Sequence, residues 1–393
     1  MFDLFKKLIA PEQKVSRTGR IIALESGGQA RWTPRDYAAL TREGFCRNAI
    51  VYRAVRLIAE SVGSLSFVLY ENAREHSTHP LLDLIARPNP RHDGPAFFDS
   101  VATHLLLAGN AYVEAVATVG DGAPQVRELY ALRPDRMKVA PGPDGWPQAY
   151  EYTVGGRTVR FAQDAAQPPI LHLTLINPLD DYYGLSPLEA AAVAVDTHNA
   201  AARWNKALLD NAARPSGALV YSGADGFLLS EAQFERLKNE LERQYQGAVN
   251  AGRPLVLEGG LEWKAMSLSP KDMDFMEAKH AAAREIALAF GVPPMLLAIP
   301  GDNTYSNYQE ANRVFWRQTV LPLAGRIASA LTQWLAPSFG EGLTLAADTD
   351  RIEALSADRA ALWERVTKAP FLTVNEKRAA TGYGAVQDGD VVE

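Results

Sequence analysis

The stretch Ile286-Ala-Leu-Ala-Phe-Gly-Val-Pro-Pro294 lies at the centre of the segment that decides the fold. It ends a predicted helix over Pro270–Phe290, because a glycine followed by two prolines cannot continue a helical pattern. The polar loop Pro300-Gly301-Asp302-Asn303-Thr304 then leads into a second predicted helix, from Ser306 past Trp334. We interpret residues 269–335 as a helical hairpin whose loop extends away from a packed base.

The second helix of the hairpin carries a proline, Pro322, in its interior. Proline has no N–H group to donate to the carbonyl of Gln318, and its ring clashes with that carbonyl. The pattern therefore predicts a kink in the helix at Pro322.

A long alanine-rich helix precedes the hairpin in the chain. Ser186 is its predicted N-cap, Pro187 its first helical residue and Glu189 the acid of a capping box. The pattern predicts one helix to Ala213, of about 26 residues and about 39 Å. Its small side chains suit the close approach of neighbouring helices, including helices of other subunits. Residues 214–268, which follow, are predicted to form a small α/β insert.

Residues 33–185 mix helical and strand patterns and predict an α+β domain. Thr33 is a predicted N-cap, because Pro34 and an acid at the third helical position follow it. From Asn48 to Val62 the apolar residues recur at helical spacing, which predicts a core helix. Short strands separated by turn residues are predicted between 110 and 173.

Composition and charge limit the possible functions. A hydrophobic content of 47% suffices for packed cores, and the sole cysteine, Cys46, excludes an internal disulfide and is predicted to be buried. The formal net charge of −6 argues against a tight nucleic-acid binder, although not against a surface along which DNA slides. No apolar stretch reaches the ~20 residues that cross a bilayer, so no membrane partner is predicted.

The motifs of common enzyme classes do not occur in the sequence: there is no Gly-Lys-Ser/Thr phosphate loop, no Gly-x-Gly-x-x-Gly and no His-Glu-x-x-His. The histidines do not have metal-ligand spacing, and the pair Asp180-Asp181 is typical of a solvated turn. We therefore predict no catalytic residue, no metal and no cofactor, and a protein that is not an enzyme. Four tryptophans on predicted helices are expected in the core: Trp204, Trp316, Trp334 and Trp363.

Two groups of polar residues each allow two interpretations. Asp272, Asp274 and Glu277 occupy the first turns of a predicted helix, where the helix dipole favours acids. They can simply stabilise the helix, or they can form the acidic wall of a channel. The loop Pro300–Thr304 can be an ordinary surface turn or a contact site.

The chain resembles the portal protein family of tailed bacteriophages of the long-tailed type and of phage-like gene transfer agents. The resemblance covers nearly the whole chain and rests on the order of many motifs, since each is weak alone. The motifs are Val51-Tyr-Arg-Ala-Val-Arg-Leu-Ile-Ala-Glu60, His79-Pro-Leu-Leu82, Arg87-Pro-Asn-Pro90, Leu107-Ala-Gly-Asn-Ala-Tyr-Val113, Tyr183-Gly-Leu-Ser-Pro-Leu188, Val256-Leu-Glu-Gly-Gly260, Leu268-Ser-Pro-Lys-Asp272, Ile286-Ala-Leu-Ala-Phe-Gly-Val-Pro-Pro294, Thr304-Tyr-Ser-Asn307 and Asn375-Glu-Lys-Arg378.

The resemblance implies the portal fold, an α+β architecture that assembles as a ring. Its parts along this chain would be a flexible N-terminal arm (1–32), a wing (33–185), a stem helix (186–213), a small α/β clip (214–268), a second stem helix (269–290), a tunnel-loop region (291–305), a long kinked helix (306–339) and a C-terminal wing with a short crown (340–393). Pro300, Gly301, Asp302, Asn303 and Thr304 would then face DNA.

The resemblance also implies partners and a location. The homo-oligomer would be a dodecamer at one capsid vertex of a virion or phage-like particle, assembled in the bacterial cytoplasm. It would contact the major capsid protein, the large terminase subunit and then the head–tail adaptor, while double-stranded DNA passes without sequence specificity. The ring would be a passive conduit and valve, since the terminase hydrolyses the ATP.

Two functions from other classes remain as alternatives. A structural head–tail adaptor or scaffold protein without a DNA channel would also lack catalytic motifs. A hydrolase with an unfamiliar site is the other, and turnover of ATP or nucleic acid by the isolated protein would identify it.

Overall fold

The structure is a computed structural model. It describes residues 32–72, 74–118, 125–165, 167–210, 217–221, 261–265, 275–301 and 305–391, with isolated positions between 232 and 239. The chain divides into two compact units. The larger unit consists of Trp32–Ala202 and Phe275–Glu393, and the smaller one of Met1–Arg31 and Arg203–Asp274. The predicted arm, residues 1–32, lies outside the described residues except for Trp32.

The α-helices in the described part of the chain follow the sequence patterns closely. In chain order they are α1 (Tyr37–Glu43), α2 (Ala49–Gly63), α3 (Pro80–Ala86), α4 (Gly94–Ala108), α5 (Pro187–Ala190), α6 (Ala192–Asp210), α7 (Phe275–Ala289), α8 (Tyr305–Phe315), α9 (Leu321–Phe339), α10 (Ser356–Thr367) and α11 (Val374–Thr381). A π-helical turn, Trp316–Val320, joins α8 to α9.

The strands of the larger unit form three small antiparallel sheets. In spatial order the first holds β11 (Leu343–Ala347), β1 (Phe67–Glu71) and β2 (Arg74–His76); the second holds β4 (Gln125–Leu132), β3 (Asn110–Thr118) and β8 (Ile170–Thr174); the third holds β5 (Met137–Pro141), β6 (Pro147–Val154) and β7 (Arg157–Ala162). In the smaller unit β9 (Gly217–Tyr221) pairs with β10 (Leu261–Ala265).

The core of the larger unit forms around α2. Val51, Ala54, Val55, Ile58 and Val62 are fully buried, which confirms the helical period of Asn48–Val62. Asn48 caps this helix by accepting hydrogen bonds from the backbone N–H groups of Ile50 and Val51. Buried side chains from α4, α7 and α9 belong to the same core. The segments before and after the smaller unit's residues 203–274 therefore share one core.

The first sheet joins distant parts of the chain. Leu69 on β1 stands opposite Leu345 on β11, and both side chains are buried. The register is set by this apolar pair, because a slip of one residue would turn both leucines towards solvent. β11 therefore completes a sheet begun by β1.

Two local predictions about helices are wrong. Asp36, and not Thr33, caps α1, because its carboxylate accepts the N–H of Ala39. The single helix predicted from Ser186 is interrupted at Ala191, so that α5 and α6 are separate helices. Ser186 does cap α5, and its hydroxyl accepts the N–H of Glu189 at 2.9 Å.

Three predictions of burial are also wrong. Cys46 is exposed, since it lies in the turn between α1 and α2 rather than on a core face. Trp204 and Trp363 are 39% and 47% exposed, although Trp334 is buried as expected. Trp363 lies on a helix with a weak apolar stripe, so helical position alone did not place it in the core.

Candidate functional site

The end of α7 forms the base of the hairpin. Gly291 has a φ of +66°, the left-handed conformation that a glycine adopts without strain. Its N–H donates to the carbonyl of Leu288 at 3.0 Å, and the N–H of Val292 donates to Ala287 at 2.9 Å. These two bonds are the Schellman pattern, so the predicted end of the helix at this glycine is confirmed.

The chain after Gly291 packs back onto the core before it reaches the loop. A 3₁₀ helix, Pro294–Leu297, is followed by Ala298 in the left-handed region at a φ of +56°. Val292, Leu297 and Ile299 are all buried. The base of the hairpin is therefore part of the core, and the exposed chain begins at Pro300.

Two side chains hold the base, one at each end of the segment 291–300. The guanidinium of Arg284 on α7 donates to the carbonyl of Pro300. The hydroxyl of Thr319 donates to the carbonyl of Gly291 at 2.6 Å. Both ends of the segment 291–300 are thus tied to neighbouring helices, and the sequence contained no signal for either contact.

Thr319 lies on the π-helical turn that precedes Pro322. In this turn the N–H of Leu321 donates to the carbonyl of Trp316, five residues back, instead of four. Pro322 has no N–H for the carbonyl of Gln318, so a wider turn is an effective way to continue the helix. The predicted disturbance at Pro322 takes this form, and the predicted kink remains a prediction.

The structure locates three of the eight predicted site residues. Pro300 and Gly301 are exposed at the start of the loop, and Glu277 is exposed in the first turn of α7. Asp302, Asn303, Thr304, Asp272 and Asp274 lie outside the described residues. The DNA-facing and channel-wall roles of all eight stay predictions.

A polar cluster joins α2 to α6. The side-chain amide of Asn48 donates to Nδ1 of His198 at 3.1 Å and to Oδ1 of Asn199 at 3.0 Å. Since Asn48 Oδ1 already caps α2, the His198 nitrogen must accept, so His198 is neutral here. Burial, together with the positive charge of Lys279 and with His280, lowers the pKa of His198.

A second polar cluster lies where the second sheet meets the entry to α5. Asn110 Oδ1 accepts the backbone N–H of Gly184 at 2.8 Å and a hydrogen bond from Nε2 of His172 at 3.0 Å. His172 Nδ1 is 3.3 Å from the hydroxyl of Tyr150, which donates to it. Burial lowers the pKa of His172 to about 4, so the ring is neutral near pH 7.

This second cluster brings two of the sequence motifs together. The stretch around Asn110 and the stretch around Gly184 are 74 residues apart in the chain, yet their backbones touch. The cluster links the second sheet to the start of α5, so it fixes where that helix leaves the sheet. Sequence reasoning found both motifs but not their contact.

Among the described residues, no group of three or more His, Cys, Asp or Glu side chains could hold a metal ion. Asp180 accepts the N–H groups of Tyr182 and Tyr183, which confirms its interpretation as a turn residue. In the same part of the chain, no helix has the length and apolar character needed to cross a membrane.

Comparisons with known proteins by sequence and by structure point to the same family. Residues 49–382 match the family model described as phage portal protein. The portal protein of Enterobacteria phage HK97 is 25% identical over 396 residues, which cover 98% of this chain and 88% of that protein.

Two solved structures are more similar. A chain in the neck of an empty gene transfer agent (GTA) particle, computed with C6 symmetry, is 52% identical with a TM-score of 0.70, and the match covers 94% of this chain and 100% of that chain. A chain in the neck of a native GTA particle, computed with C12 symmetry, is 51% identical with a TM-score of 0.68, covering 94% and 99%.

Proposed function

The chain belongs to the phage portal protein family, and we propose that it forms the ring channel at one capsid vertex through which double-stranded DNA is packaged and ejected. The observation that carries this proposal is the 52% identity, over the full length of the matched chain, to a component of a GTA particle neck. The C12 symmetry of a second such neck supports a ring of twelve subunits. The protein would thus reside in a virion or phage-like particle.

Each part of the chain has a place in this proposal. The wing, residues 33–185, contacts the major capsid protein. The clip, residues 214–268, binds the large terminase subunit during packaging and the head–tail adaptor afterwards. The stem helices place Asp272, Asp274 and Glu277 on the channel wall. The ring guides and holds DNA, and the terminase supplies the energy.

The loop Pro300–Thr304 would face the DNA. Support for this role comes from its base, because Arg284 and Thr319 hold the chain on both sides of the segment 291–300. A loop on a fixed base presents its polar residues at a constant place in the channel. Since each subunit has a formal charge of −6, the ring as a whole repels phosphates, and DNA slides without being bound tightly.

Images of the purified protein test the ring. We expect annular particles with a central pore wide enough for duplex DNA in negative-stain electron microscopy. A monomer without annular particles would contradict the proposal. Rings with a closed centre would favour the structural adaptor instead.

The loop is tested in assembled particles. Replacing Asp302 and Asn303 together by alanine should leave ring formation intact and lower the amount of DNA retained per particle. The matched control is Asp144→Ala, in an exposed turn of the third sheet. Equal DNA content in the loop variant and the control would show that the loop does not retain DNA in the particle.

A further inference from the structure

An open groove lies beside α10 in the larger unit. It encloses a cavity of about 460 Å³, lined by Arg317, Thr349, Leu355, Asp358, Arg359, Ala361, Leu362 and Arg365. Its lining combines three guanidinium groups with an aliphatic floor of leucine and alanine. The lining carries one acid, so its formal charge is positive.

Not all of this positive charge is neutralised. Arg359 pairs with Asp350 and donates to the carbonyl of Thr381 at 2.8 Å. The carboxylate of Asp358 lies 3.1 Å from a guanidinium nitrogen of Arg313 and, more distantly, 3.9 Å from one of Arg317. Arg365 is exposed and has no ion-pair partner in the part of the chain that the structure describes. Arg317 shares the carboxylate of Asp358 with Arg313, so Arg365 is the lining arginine that is available to an acidic ligand.

The same unit displays a segment of complementary chemistry. We call residues 386–391 (Val-Gln-Asp-Gly-Asp-Val) the acidic tail. Its valines at 386 and 391 are 41% and 69% exposed, and Asp388 is exposed between them. Exposed aliphatic side chains beside an unneutralised acid match a groove of leucines and arginines.

The acidic tail is held in a fixed shape by one residue. The side-chain amide of Asn375 donates to the carbonyl of Val386 at 3.1 Å and to Asp390 Oδ1 at 2.8 Å. Asn375 Oδ1 accepts the N–H of Val386 at 2.8 Å, and its backbone N–H donates to Gly389 at 2.7 Å. A segment held by four hydrogen bonds loses little entropy when it binds.

We propose that the acidic tail of one copy of this chain binds the arginine-lined groove of the next copy in the ring. The proposal rests on the ring of the proposed function, because a cyclic assembly needs two different, complementary patches on every subunit. The aliphatic residues of the lining favour this occupant over DNA, because charge complementarity alone would suit either. A phosphate backbone would pair with the arginines and leave the leucine and alanine side chains exposed to water. The tail can pair with Arg365 through Asp388 and cover the aliphatic side chains with its valines.

Cross-linking tests the contact directly. Leu362→Cys and Val391→Cys are combined on a Cys46→Ser background, which removes the exposed native thiol. Oxidation of assembled rings should give a ladder of multimers on a denaturing gel. Each single cysteine variant, and a control that pairs Leu362→Cys with Val159→Cys on the third sheet, should give none.

The outcomes of cross-linking separate the two proposals. Rings that give no ladder would overturn this contact and leave the ring itself standing. A disulfide confined to one chain, seen as a faster-migrating monomer, would also overturn it. A wild-type protein that never forms rings would overturn the proposed function together with this inference.

Charge substitution gives an independent test. Arg365→Glu should raise the protein concentration needed for half-maximal assembly by roughly tenfold, a change of about 1.4 kcal/mol per contact. Asp388→Asn should act in the same direction but less, and asparagine tolerates the φ of +61° at this position. Arg157→Glu, an equal charge change on β7, should have no effect.

Arg365 and Asp388 are both exposed, so the thermal transition of each variant should match the wild type. If Arg365→Glu assembles normally but its rings bind duplex DNA more weakly, the groove takes phosphate and the contact is wrong. Normal assembly without any change in DNA binding would also exclude the contact.

Discussion

Gly109 and Gly184 lie where two backbone segments cross with no room for a side chain. A Cβ atom added to Gly184 would lie 2.1 Å from the carbonyl oxygen of Gly109 and 2.6 Å from that of Leu175. Both contacts are with backbone, which cannot move aside as a flexible side chain can. The close approach is what allows Asn110 to reach the N–H of Gly184.

Gly184→Ala should therefore destabilise the larger unit by about 3 kcal/mol, because overpacking against backbone forces the sheet and the α5 entry apart. Gly325→Ala is the matched control. Gly325 lies inside α9, and a Cβ there meets nothing within 4 Å, so alanine should stabilise the helix by about 1 kcal/mol. Denaturant unfolding of both variants measures these opposite shifts. A stable Gly184→Ala protein would show that the crossing can open without cost.

His172 should make stability depend on pH. Its pKa is lowered to about 4 in the fold, so between about pH 6.5 and pH 4 the unfolded chain binds a proton that the folded chain does not. The neutral ring contributes its full share of the free energy of unfolding above pH 6.5. As the pH falls towards 4, the free energy of unfolding decreases by up to about 3 kcal/mol. The decline ends below pH 4, where both states are protonated.

His172→Gln gives the comparison for this effect. Glutamine can still donate to Asn110 but does not titrate, so the stability difference between wild type and variant should shrink or reverse as the pH falls from 7 to 4. Denaturant midpoints at several pH values measure it. Parallel pH curves for the two proteins would contradict the effect.

Single residues were predictable from the sequence where they satisfy a local rule. Thr373 and Glu376 form a capping box at the start of α11, a local pattern of Thr and Glu at the standard spacing, and Gly382 ends that helix in the left-handed conformation. Thr33 does not act as the predicted N-cap. Its N–H and hydroxyl both bind Asp196, so a partner 163 residues away replaced the local cap. Distant hydrogen bonds such as this one leave no mark on sequence spacing.

At the level of elements, the junction of α8 and α9 has the greatest effect on the candidate site. The π-helical turn Trp316–Val320 places Thr319 against Gly291 at the end of α7. The turn therefore couples the long helix to the base of the hairpin. A regular α-helix here would move every later residue by about 100° around the axis, because it would contain one residue fewer in this turn.

Thr319→Val should loosen this coupling, because it removes the hydroxyl donor and keeps the side-chain shape. The loss of one hydrogen bond corresponds to about 1 kcal/mol. Hydrogen–deuterium exchange of the amides of Val292 and Ile299 should become faster, while those of α4 keep their rates. Thr319→Ser retains the hydroxyl and should exchange like the wild type. If the valine variant also exchanges like the wild type, Thr319 does not hold the base.

The elements themselves were largely predictable, because helical and strand periods are local properties. The bounds of α2 and the C-terminal end of α7 lie close to their predicted positions, and the strands of the second and third sheets lie between 110 and 174, close to the predicted range of 110–173. The break at Ala191 was not predictable, since alanine favours helix and gives no signal for an interruption. The π-helical turn was equally hidden, and only Pro322 pointed to a disturbance there.

At the level of the whole molecule, the chain leaves the larger unit once and returns to it. The smaller unit contains Arg203–Asp274, within which the predicted clip lies. Residue patterns already indicated this insertion, since they predicted a small α/β insert over residues 214–268. The family resemblance was needed for the function and for the assignment of each part of the architecture.

A protein in which a short glycine–serine linker replaces residues 214–268 tests the independence of the two units. Its thermal transition should stay within a few degrees of that of the larger unit in the full chain, because every described residue of the core around α2 belongs to the larger unit. Calorimetry measures the transition. Loss of the cooperative transition would show that the larger unit cannot fold without the insert.

The pairing of β1 with β11 has a consequence for the protein's synthesis in the cell. Phe67 pairs with Ala347, so β1 can pair with β11 only after a further 280 residues have been translated. At the usual bacterial pace of about 20 residues per second, that wait is about 14 s. During it, β1 has an unpaired edge on the ribosome, while the insert between the two strands has already emerged. Nascent chains should therefore be most prone to aggregation before Leu343–Ala347 leaves the exit tunnel.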